Sequence, residues 1–291
     1  MLPTLHAPAS QTPTIQDLSA EDYAFLQSYI HRESGIALGQ DKLYLLKSRL
    51  LPVAEAQGLR SLAALCQRLR VTHLPDLRRS VVEAITTHET LFFRDPAVYD
   101  ALRTIILPAI VRHRQAKRTM RIWSAACSSG QEPYSLAMLL LEAGLRDWNI
   151  EILGTDISTQ ILERAAAAKY LQLEVGRGLP AQMLVKYFQR AGMGWLVKAD
   201  VRKLVRFNQF DLRSSMSALG PFDLVLCRNV LIYFDIGTRR KILSGIRSVL
   251  YPGGYFLMGS SETTFNLDDN FLRISCGATT AYQTPALPVT K

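Results

Sequence analysis

One short segment, residues 124–135, combines small residues with a single carboxylate in a pattern typical of a cofactor-binding turn. It follows an apolar run and precedes a helical pattern, with the sequence Ser-Ala-Ala-Cys-Ser-Ser-Gly-Gln-Glu-Pro-Tyr-Ser. A dinucleotide fingerprint needs glycines at three fixed positions, and only Gly130 is present, which disfavours NAD and FAD. Glu132 would repel a phosphate but suits a cationic or hydroxyl-rich ligand. Taken alone, the segment is equally compatible with a plain strand–helix turn.

S-adenosylmethionine is a ligand of that kind, because it carries an ammonium, a sulfonium and a ribose but no phosphate. Other polar residues follow apolar runs, where parallel strands would end and ligands bind. Asp156 could accept both ribose hydroxyls, or it could be an ordinary acidic residue at the start of the helix that Ser158 caps. Asp211, in a predicted turn at residues 208–212, would lie with a backbone amide beside an adenine edge.

A fourth polar position follows the buried run Phe222–Cys227. Asn229 would orient the methionine end of the ligand, and Tyr233 would line a channel for methyl transfer. The alternative is a strand end with packed aromatic residues. These positions together indicate one binding site at one edge of a sheet.

The segment Thr87–Asp95 lies outside the sheet pattern and carries a candidate for binding carboxylates. Thr90 and Arg94 are four residues apart, so they would share a face if the segment were helical. Arg94 is then positioned to hold an acceptor carboxylate or to organise the cofactor.

The elements that must position these residues follow two different patterns. Residues 19–85 predict a bundle of short helices, with Ser19 as the first N-cap and Gly35 as the first stop. A connecting helix is predicted over Asp95–Arg114, with Pro96 in its first turn. After Met120, strands alternate with helices, which predicts a mostly parallel sheet covered on both faces. The predicted strands are residues 121–126, 150–154, 222–227 and 255–259, followed by a hairpin within 271–282.

Between residues 171 and 210 the alternation is interrupted. A helix is predicted over residues 180–190, followed by strands at 195–198 and 201–207. The polar turn between the two strands predicts a small inserted β-subdomain.

Composition narrows the class of protein further. The chain has 291 residues, 48% of them hydrophobic, and a net charge of +9, which favours acidic partners. Its four cysteines show no C-x-x-C spacing, so we expect reduced thiols and no metal site. The N-terminus lacks a secretory signal, and no apolar stretch approaches the ~20 residues that span a bilayer. We therefore expect a cytoplasmic location and no direct membrane insertion.

The motifs in combination resemble the CheR family of chemotaxis protein-glutamate methyltransferases, over about residues 17–282. The resemblance rests on residues 90–94, on Trp123–Ser135, on Thr155–Ser158, on Pro221–Asp235 and on residues 250–254. It implies a Rossmann-like α/β methyltransferase sheet with an inserted small antiparallel β-subdomain, preceded by an all-α domain. The implied domains are a leader at 1–16, a helical domain at 17–86, a linker and connecting helix at 87–118, a methyltransferase domain at 119–283 with its insertion at about 171–210, and a tail at 284–291.

The resemblance also implies a function and the residues that serve it. The family transfers methyl groups from S-adenosylmethionine to glutamates in the cytoplasmic helical domain of chemoreceptors and releases S-adenosylhomocysteine. Arg94 and Tyr233 would be catalytic. Cofactor contacts would come from His88, Thr90, Arg94, Glu132, Asp156, Asp211, Leu212, Asn229 and Val230.

Three features depart from the pattern of the family. His88 stands where relatives commonly carry an asparagine that contacts the cofactor. The predicted second helix retains Lys42, Lys47 and Arg49 for docking the receptor, but it is less basic than in enteric-type relatives. The predicted β-loop around residues 190–195 is about three residues shorter than in relatives that bind a receptor C-terminal pentapeptide, which implies a pentapeptide-independent enzyme.

Other functions fit parts of the sequence. A methyltransferase for nucleic acid or a small molecule is compatible with the positive charge, but the chain lacks an Asn/Asp-Pro-Pro-Tyr motif and a zinc knuckle. A related methyltransferase for a receptor outside chemotaxis, or a module that binds the cofactor without turnover, would keep the same fold. We expect a monomer without nucleic-acid partners.

Overall fold

The computed structural model describes residues 18–71 and 74–286, which form two compact units. One unit contains the described residues up to Glu33 and those of Leu38–Ile85; the other contains Ser34–Ala37 and the described residues from Thr86 onward. The predicted leader at 1–16 lies outside the described residues. Among the described residues, the helices are all too short or too polar to cross a membrane.

The first unit is helical, as predicted. Ser19 accepts a hydrogen bond from the backbone of Asp22 at 3.0 Å, and Ser61 does the same for Ala64 at 3.2 Å. Both serines therefore cap helices, and Ser19 does so at the predicted position. Buried leucines at 46, 50 and 65 form part of the core. The helices are α1 (Ala20–Ser34), whose last residue belongs to the second unit, α2 (Leu43–Ala56), α3 (Leu62–Val71) and α4 (Pro75–Ile85).

The second unit is built around a seven-stranded sheet, with strand order β6-β2-β1-β7-β8-β10-β9. Strands β6, β2, β1, β7 and β8 run parallel, and the hairpin β9–β10 adds an antiparallel edge. The strands are β1 (Thr119–Ala125), β2 (Asn149–Asp156), β3 (Lys169–Leu171), β4 (Phe188–Ala191), β5 (Gly194–Val197), β6 (Val205–Gln209), β7 (Phe222–Cys227), β8 (Leu250–Leu257), β9 (Leu272–Cys276) and β10 (Thr279–Gln283).

Helices cover the sheet on both faces. Alternate residues of the central strands point to opposite faces, and both sets are buried. Ile122 and Leu224 belong to one apolar cluster, whereas Trp123 and Val225 belong to the other. The helices of this unit are α5 (Pro96–Ala101), α6 (Leu107–Arg114), α7 (Gln131–Glu142), α8 (Thr159–Ala167), α9 (Gln172–Val175), α10 (Ala181–Tyr187), α11 (Ala199–Arg202) and α12 (Ile236–Ser248). The sheet confirms the predicted α/β class.

The connecting helix predicted over Asp95–Arg114 is interrupted. A π-helical turn at Leu102–Ile106 separates α5 from α6. Pro108 explains the interruption, since it has no N–H to donate to the carbonyl four residues earlier.

The inserted sheet differs from its predicted composition. It has three antiparallel strands in the order β3-β5-β4, of which only β5 was predicted. The helix predicted over residues 180–190 ends at Tyr187, and Phe188–Ala191 forms β4. The prediction of an inserted strand at 201–207 was wrong, because Ala199–Arg202 is helical and Val205–Gln209 pairs in parallel with β2. Thr284, predicted to begin a tail, is buried and donates to the carbonyl of Tyr251 at 2.7 Å.

Candidate functional site

A cleft opens at the carboxyl ends of β1, β2 and β7. Ala125 pairs with Thr155 on one side and with Cys227 on the other, so the three strands end level with one another. The chain crosses to β2 on one side of β1 and to β7 on the other, which makes this edge the topological switch point. The cleft encloses about 970 Å³ with its open mouth included.

All the residues predicted to contact the cofactor, together with Tyr233, line this one cleft. The lining comprises Ser34, Ile36, Thr86, Thr87, His88, Glu89, Thr90, Leu91, Arg94, Ala126, Cys127, Ser128, Glu132, Asp156, Ile157, Phe210, Asp211, Leu212, Arg228, Asn229, Val230, Tyr233 and Phe234. The residues come from separate parts of the sequence, and the sheet edge brings them together.

The turn between β1 and α7 follows an unusual backbone path. Ala126, Ser128 and Gly130 all have positive φ, at 55°, 51° and 92°. A Cβ on Gly130 would lie 3.0 Å from the Cβ of Ala165 and 3.1 Å from the Tyr170 hydroxyl oxygen. Left-handed residues other than glycine cost energy and cluster at functional sites. Gly130 is therefore required by this path, whereas Ala126 and Ser128 adopt it at an energetic cost.

Asp156 holds this turn in place from the end of β2. The residue is 7% exposed, and its carboxylate accepts hydrogen bonds from the backbone of Ser128 at 2.9 Å and of Ser158 at 3.1 Å. Its backbone carbonyl accepts from Phe210 at 2.9 Å. One carboxylate thus joins the β1–α7 turn to the start of α8 while lining the cleft.

A buried ion network forms another wall. The guanidinium of Arg228, 2% exposed, donates to Glu132 at 2.8 Å and to Asp95 at 2.6 Å. Glu132 also accepts from the Ser124 hydroxyl at 2.7 Å. Burial opposes the charge of Arg228, but Glu132, Tyr99 and Asp95 hold its pKa above the usual value. One guanidinium faces two carboxylates here, so the network keeps a net negative charge at the cleft wall, which suits a cationic ligand.

Arg228 was not predicted as a site residue, although it precedes Asn229 in the same motif. It joins elements far apart in sequence, since it also donates to the backbone carbonyl of Arg94 at 2.8 Å. The signal was an arginine directly after the mostly apolar strand β7, where an unpaired charge would be costly.

The segment that carries His88, Thr90 and Arg94 is irregular. The helix that would have placed Thr90 and Arg94 on one face therefore does not form. Phe93 and Asp95 have φ of 51° and 63°, which is incompatible with a continuous helix. Thr90 and Arg94 nevertheless both line the cleft. The Arg94 guanidinium donates to the carbonyl of Glu89 at 3.1 Å.

His88 is fixed by hydrogen bonds on both its backbone and its ring. Its carbonyl accepts from the Ser128 hydroxyl at 2.8 Å, and its Nε2 lies 2.8 Å from the Thr86 hydroxyl. His88 is therefore built into the cleft wall.

Asp211 and Leu212 also line the cleft. Asp211 forms an ion pair with Arg213, with oxygen and nitrogen 2.6 Å apart, and accepts from the Arg213 backbone at 2.9 Å. Leu212 is 7% exposed and packs in the apolar cluster around Trp123. The predicted turn therefore forms, with one residue ion-paired and the other largely in the core.

A carboxylate that the sequence analysis missed shapes the segment after β7. Glu262 accepts backbone hydrogen bonds from Asn229 at 2.7 Å, Val230 at 3.0 Å and Leu231 at 2.8 Å, and from Gly259 at 2.8 Å. Asn229 has φ of 57°, and the four hydrogen bonds to one carboxylate offset the energetic cost of that backbone conformation. A signal was available, because Glu262 follows another strand end, that of β8.

Glycine is required at position 259 for this arrangement. A Cβ there would lie 2.7 Å from Nδ2 of Asn229 and 2.8 Å from Oε2 of Glu262, closer than van der Waals contact allows. The close approach lets the carboxylate reach the backbone of Asn229.

Tyr233 ends a short 3₁₀ helix at Leu231–Tyr233. Its carbonyl accepts from the backbone of Ala37 at 2.8 Å, and Ile36 forms a β-bridge with Phe234. Residues 34–37 thereby contribute to the cleft wall beside the predicted catalytic tyrosine.

The predicted docking residues lie on or just before α2 in the helical unit. Lys42 pairs with Asp41 at 2.9 Å. Arg49 donates to the carbonyl of Ile85 at 2.7 Å, which stabilises the end of α4. Lys47 lies on the same helix and is partly exposed. Arg49 therefore has a structural role in this unit besides any role in docking.

Comparisons with known proteins agree with this geometry. Residues 88–280 match the family model for the CheR methyltransferase SAM-binding domain, and residues 21–86 match that for the CheR methyltransferase all-alpha domain. Chemotaxis protein methyltransferase 1 of Pseudomonas aeruginosa is 42% identical over 268 residues, 90% of this chain and 97% of that protein. Chemotaxis protein methyltransferase Cher2 of Pseudomonas putida is 40% identical, with the same coverage. A chemotaxis protein methyltransferase of Vibrio parahaemolyticus is 39% identical over 271 residues, 91% of this chain and 98% of that protein.

Proposed function

This chain belongs to the CheR family of methyltransferases, and we propose that it methylates glutamate carboxylates of chemoreceptors. It is an S-adenosylmethionine-dependent methyltransferase of chemotaxis. The finer proposal is a protein-glutamate O-methyltransferase, of the class EC 2.1.1.80, acting on the cytoplasmic helical domain of the receptor. The observation that carries it is the convergence of every predicted cofactor residue on one cleft beside Arg94 and Tyr233.

The residues of the cleft fit S-adenosylmethionine in charge and in hydrogen-bonding chemistry. Asp156 offers a buried carboxylate to the ribose hydroxyls, and Asp211 with Leu212 would line the adenine. Glu132 and Asn229 would hold the amino-acid end of the ligand, with His88, Thr90 and Val230 completing the walls. When bound, this cofactor supplies a methyl group on a positively charged sulfur.

The chain's own contribution is to position the acceptor rather than to remove a proton. A free glutamate has a pKa near ~4.3, so its carboxylate is already ionised and nucleophilic at neutral pH. The guanidinium of Arg94 can hold that carboxylate, and Tyr233 limits its approach to one side of the cleft. Holding two reactants in line accounts for a large share of such a rate enhancement.

The inserted sheet supports a pentapeptide-independent enzyme. Strands β4 and β5 pair from Phe188 to Ala191, and the turn between them contains only Gly192 and Met193. A two-residue turn leaves no projecting loop to extend a peptide-binding surface. We propose that the enzyme is a cytoplasmic monomer that does not use such a tether.

The test is methyl transfer to a recombinant chemoreceptor cytoplasmic fragment, with peptide mass spectrometry to locate the product. The proposal predicts methylation of glutamate side chains, and calorimetry with the pentapeptide should detect no binding. Binding of S-adenosylhomocysteine without any transfer would instead support a module that binds the cofactor without turnover. Modification of RNA or DNA would contradict the proposal.

A further inference from the structure

The surface beside Tyr233 exposes apolar side chains. Ile232 is 46% exposed and Ile236 is 60% exposed. Arg239 holds their segments together, because its guanidinium donates to the carbonyls of Phe234 at 2.7 Å and Ile232 at 3.3 Å. Apolar side chains presented together and bordered by polar residues are typical of interaction sites.

Basic residues continue this surface along α12. Arg240 and Lys241 are exposed, and Arg240 donates to the carbonyl of Asn266 at 3.1 Å. That bond brings the loop after Glu262 against α12, and the preceding residue in the loop, Phe265, is 67% exposed. We call this surface, formed by Ile232, Ile236, Arg240, Lys241 and Phe265, the α12 rim.

The basic residues of the rim do not stabilise the helix that carries them. Three cations, at 239, 240 and 241, occupy the first half of α12, and the helix contains no acidic residue. Cations near a helix N-terminus oppose the helix dipole. Only the N-cap, Asp235, carries a compensating charge, and it accepts from the backbone of Thr238 at 2.8 Å. A basic surface of this kind is complementary to an acidic partner.

The position of the rim relative to the cleft limits what can bind there. A glutamate side chain extends roughly 5 Å from its Cα, so a segment that places its carboxylate in the cleft must lie against the mouth. Tyr233 lines the cleft and directly follows Ile232 in the chain. Any acceptor segment therefore passes close to this surface.

We propose that the α12 rim is the docking surface for the acidic segment that carries the methylated glutamate, an inference that rests on the proposed function. The apolar residues Ile232, Ile236 and Phe265 contact aliphatic side chains of that segment. Arg240 and Lys241 contact its carboxylates and set its direction across the mouth.

The test compares two charge reversals. In the variant Arg240→Glu/Lys241→Glu, affinity for a recombinant chemoreceptor cytoplasmic fragment, measured by surface plasmon resonance with S-adenosylhomocysteine present, should fall about ten-fold. The control Arg202→Glu/Lys203→Glu makes the same charge change at exposed residues, at the end of α11 that leads into the amino end of β6. The control should bind within about two-fold of the wild type. Ile236→Asp should weaken binding in the same way, with thermal unfolding unchanged in all three.

Each outcome decides the matter. The proposal would be overturned if both double variants lost the same affinity for the fragment, or if the rim variant bound it normally. Failure of the wild type to bind the fragment would also overturn it. Methyl transfer to the same fragment is measured in a separate assay with the wild-type protein. Rim-dependent binding without transfer would contradict the proposed function, while showing that the rim binds an acidic receptor segment that is not a methyl acceptor.

Discussion

The carboxylate of Glu262 lies 2.7 Å from the backbone nitrogen of Asn229, a residue 33 positions earlier with φ of 57°. The same side chain accepts from Val230, Leu231 and Gly259. One carboxylate thus fixes the backbone that leads from β7 to Tyr233. The left-handed conformation of Asn229 is stable because these bonds are made together.

The first prediction concerns that carboxylate. In Glu262→Gln, the amide NH₂ faces backbone donors, so the free energy of unfolding should fall by about 2 kcal/mol. Because the cleft wall shifts, affinity for S-adenosylhomocysteine measured by calorimetry should fall about ten-fold. Glu163→Gln, on the exposed side of α8, is the matched control. Unchanged affinity in Glu262→Gln would show that the carboxylate does not shape the site.

The second prediction concerns the buried pair Arg228–Glu132. Arg228→Met leaves Glu132 and Asp95 without their cation, and it should cost about 3–5 kcal/mol in urea unfolding. Adding Glu132→Gln removes one of the uncompensated charges. The double variant should therefore lose less stability than the sum of the two single variants, by about 1–3 kcal/mol. Additive losses would contradict a coupled network.

The third prediction separates two cleft residues. Arg94→Ala removes a guanidinium with one hydrogen bond to Glu89, so it should lower kcat at least about a hundred-fold with little change in thermal unfolding. Asp156→Ala also orphans the backbone N–H groups of Ser128 and Ser158, so it should cost about 2 kcal/mol of stability as well as activity. Radiolabelled methyl transfer and thermal melts measure both effects. Near-normal transfer by Arg94→Ala would refute its catalytic role.

The sequence predicted which residues meet at the edge of the sheet better than it predicted the contacts among them. The central strands follow from apolar runs that end in polar residues, and those ends coincide because parallel strands share an edge. Val205–Gln209 was misassigned because an edge strand of the main sheet and a strand of an insertion have the same local pattern. Glu262 was missed because its partners are distant in sequence. A backbone-binding carboxylate has no periodic signature, and only the fold shows what it contacts.

The fourth prediction concerns the thiols, which are all free and buried. Burial raises the pKa of Cys66 to about 12. Burial and the carboxylate of Asp156 hold the pKa of Cys127 well above its usual range, although Cys127 lines the cleft. Burial also raises the pKa values of Cys227 and Cys276.

Because the thiolate is the reactive form, a disulfide reagent at pH 8 should modify the folded protein at least about a hundred-fold more slowly than the protein in urea. The folded pKa values exceed the unfolded value of ~8.5, so their stabilising contribution is complete below pH ~8.5 and is lost as the pH rises further. Rapid native modification of Cys127 would contradict its burial in the cleft wall.

The most direct test of the central claim is the chemical nature of the transferred methyl. After incubation with methyl-labelled S-adenosylmethionine and a chemoreceptor cytoplasmic fragment, the labelled product is treated with mild base. A methyl ester of glutamate hydrolyses and releases the label as volatile methanol, which is the result this account predicts. A label that stays on the fragment in base, or no transfer at all, would contradict it.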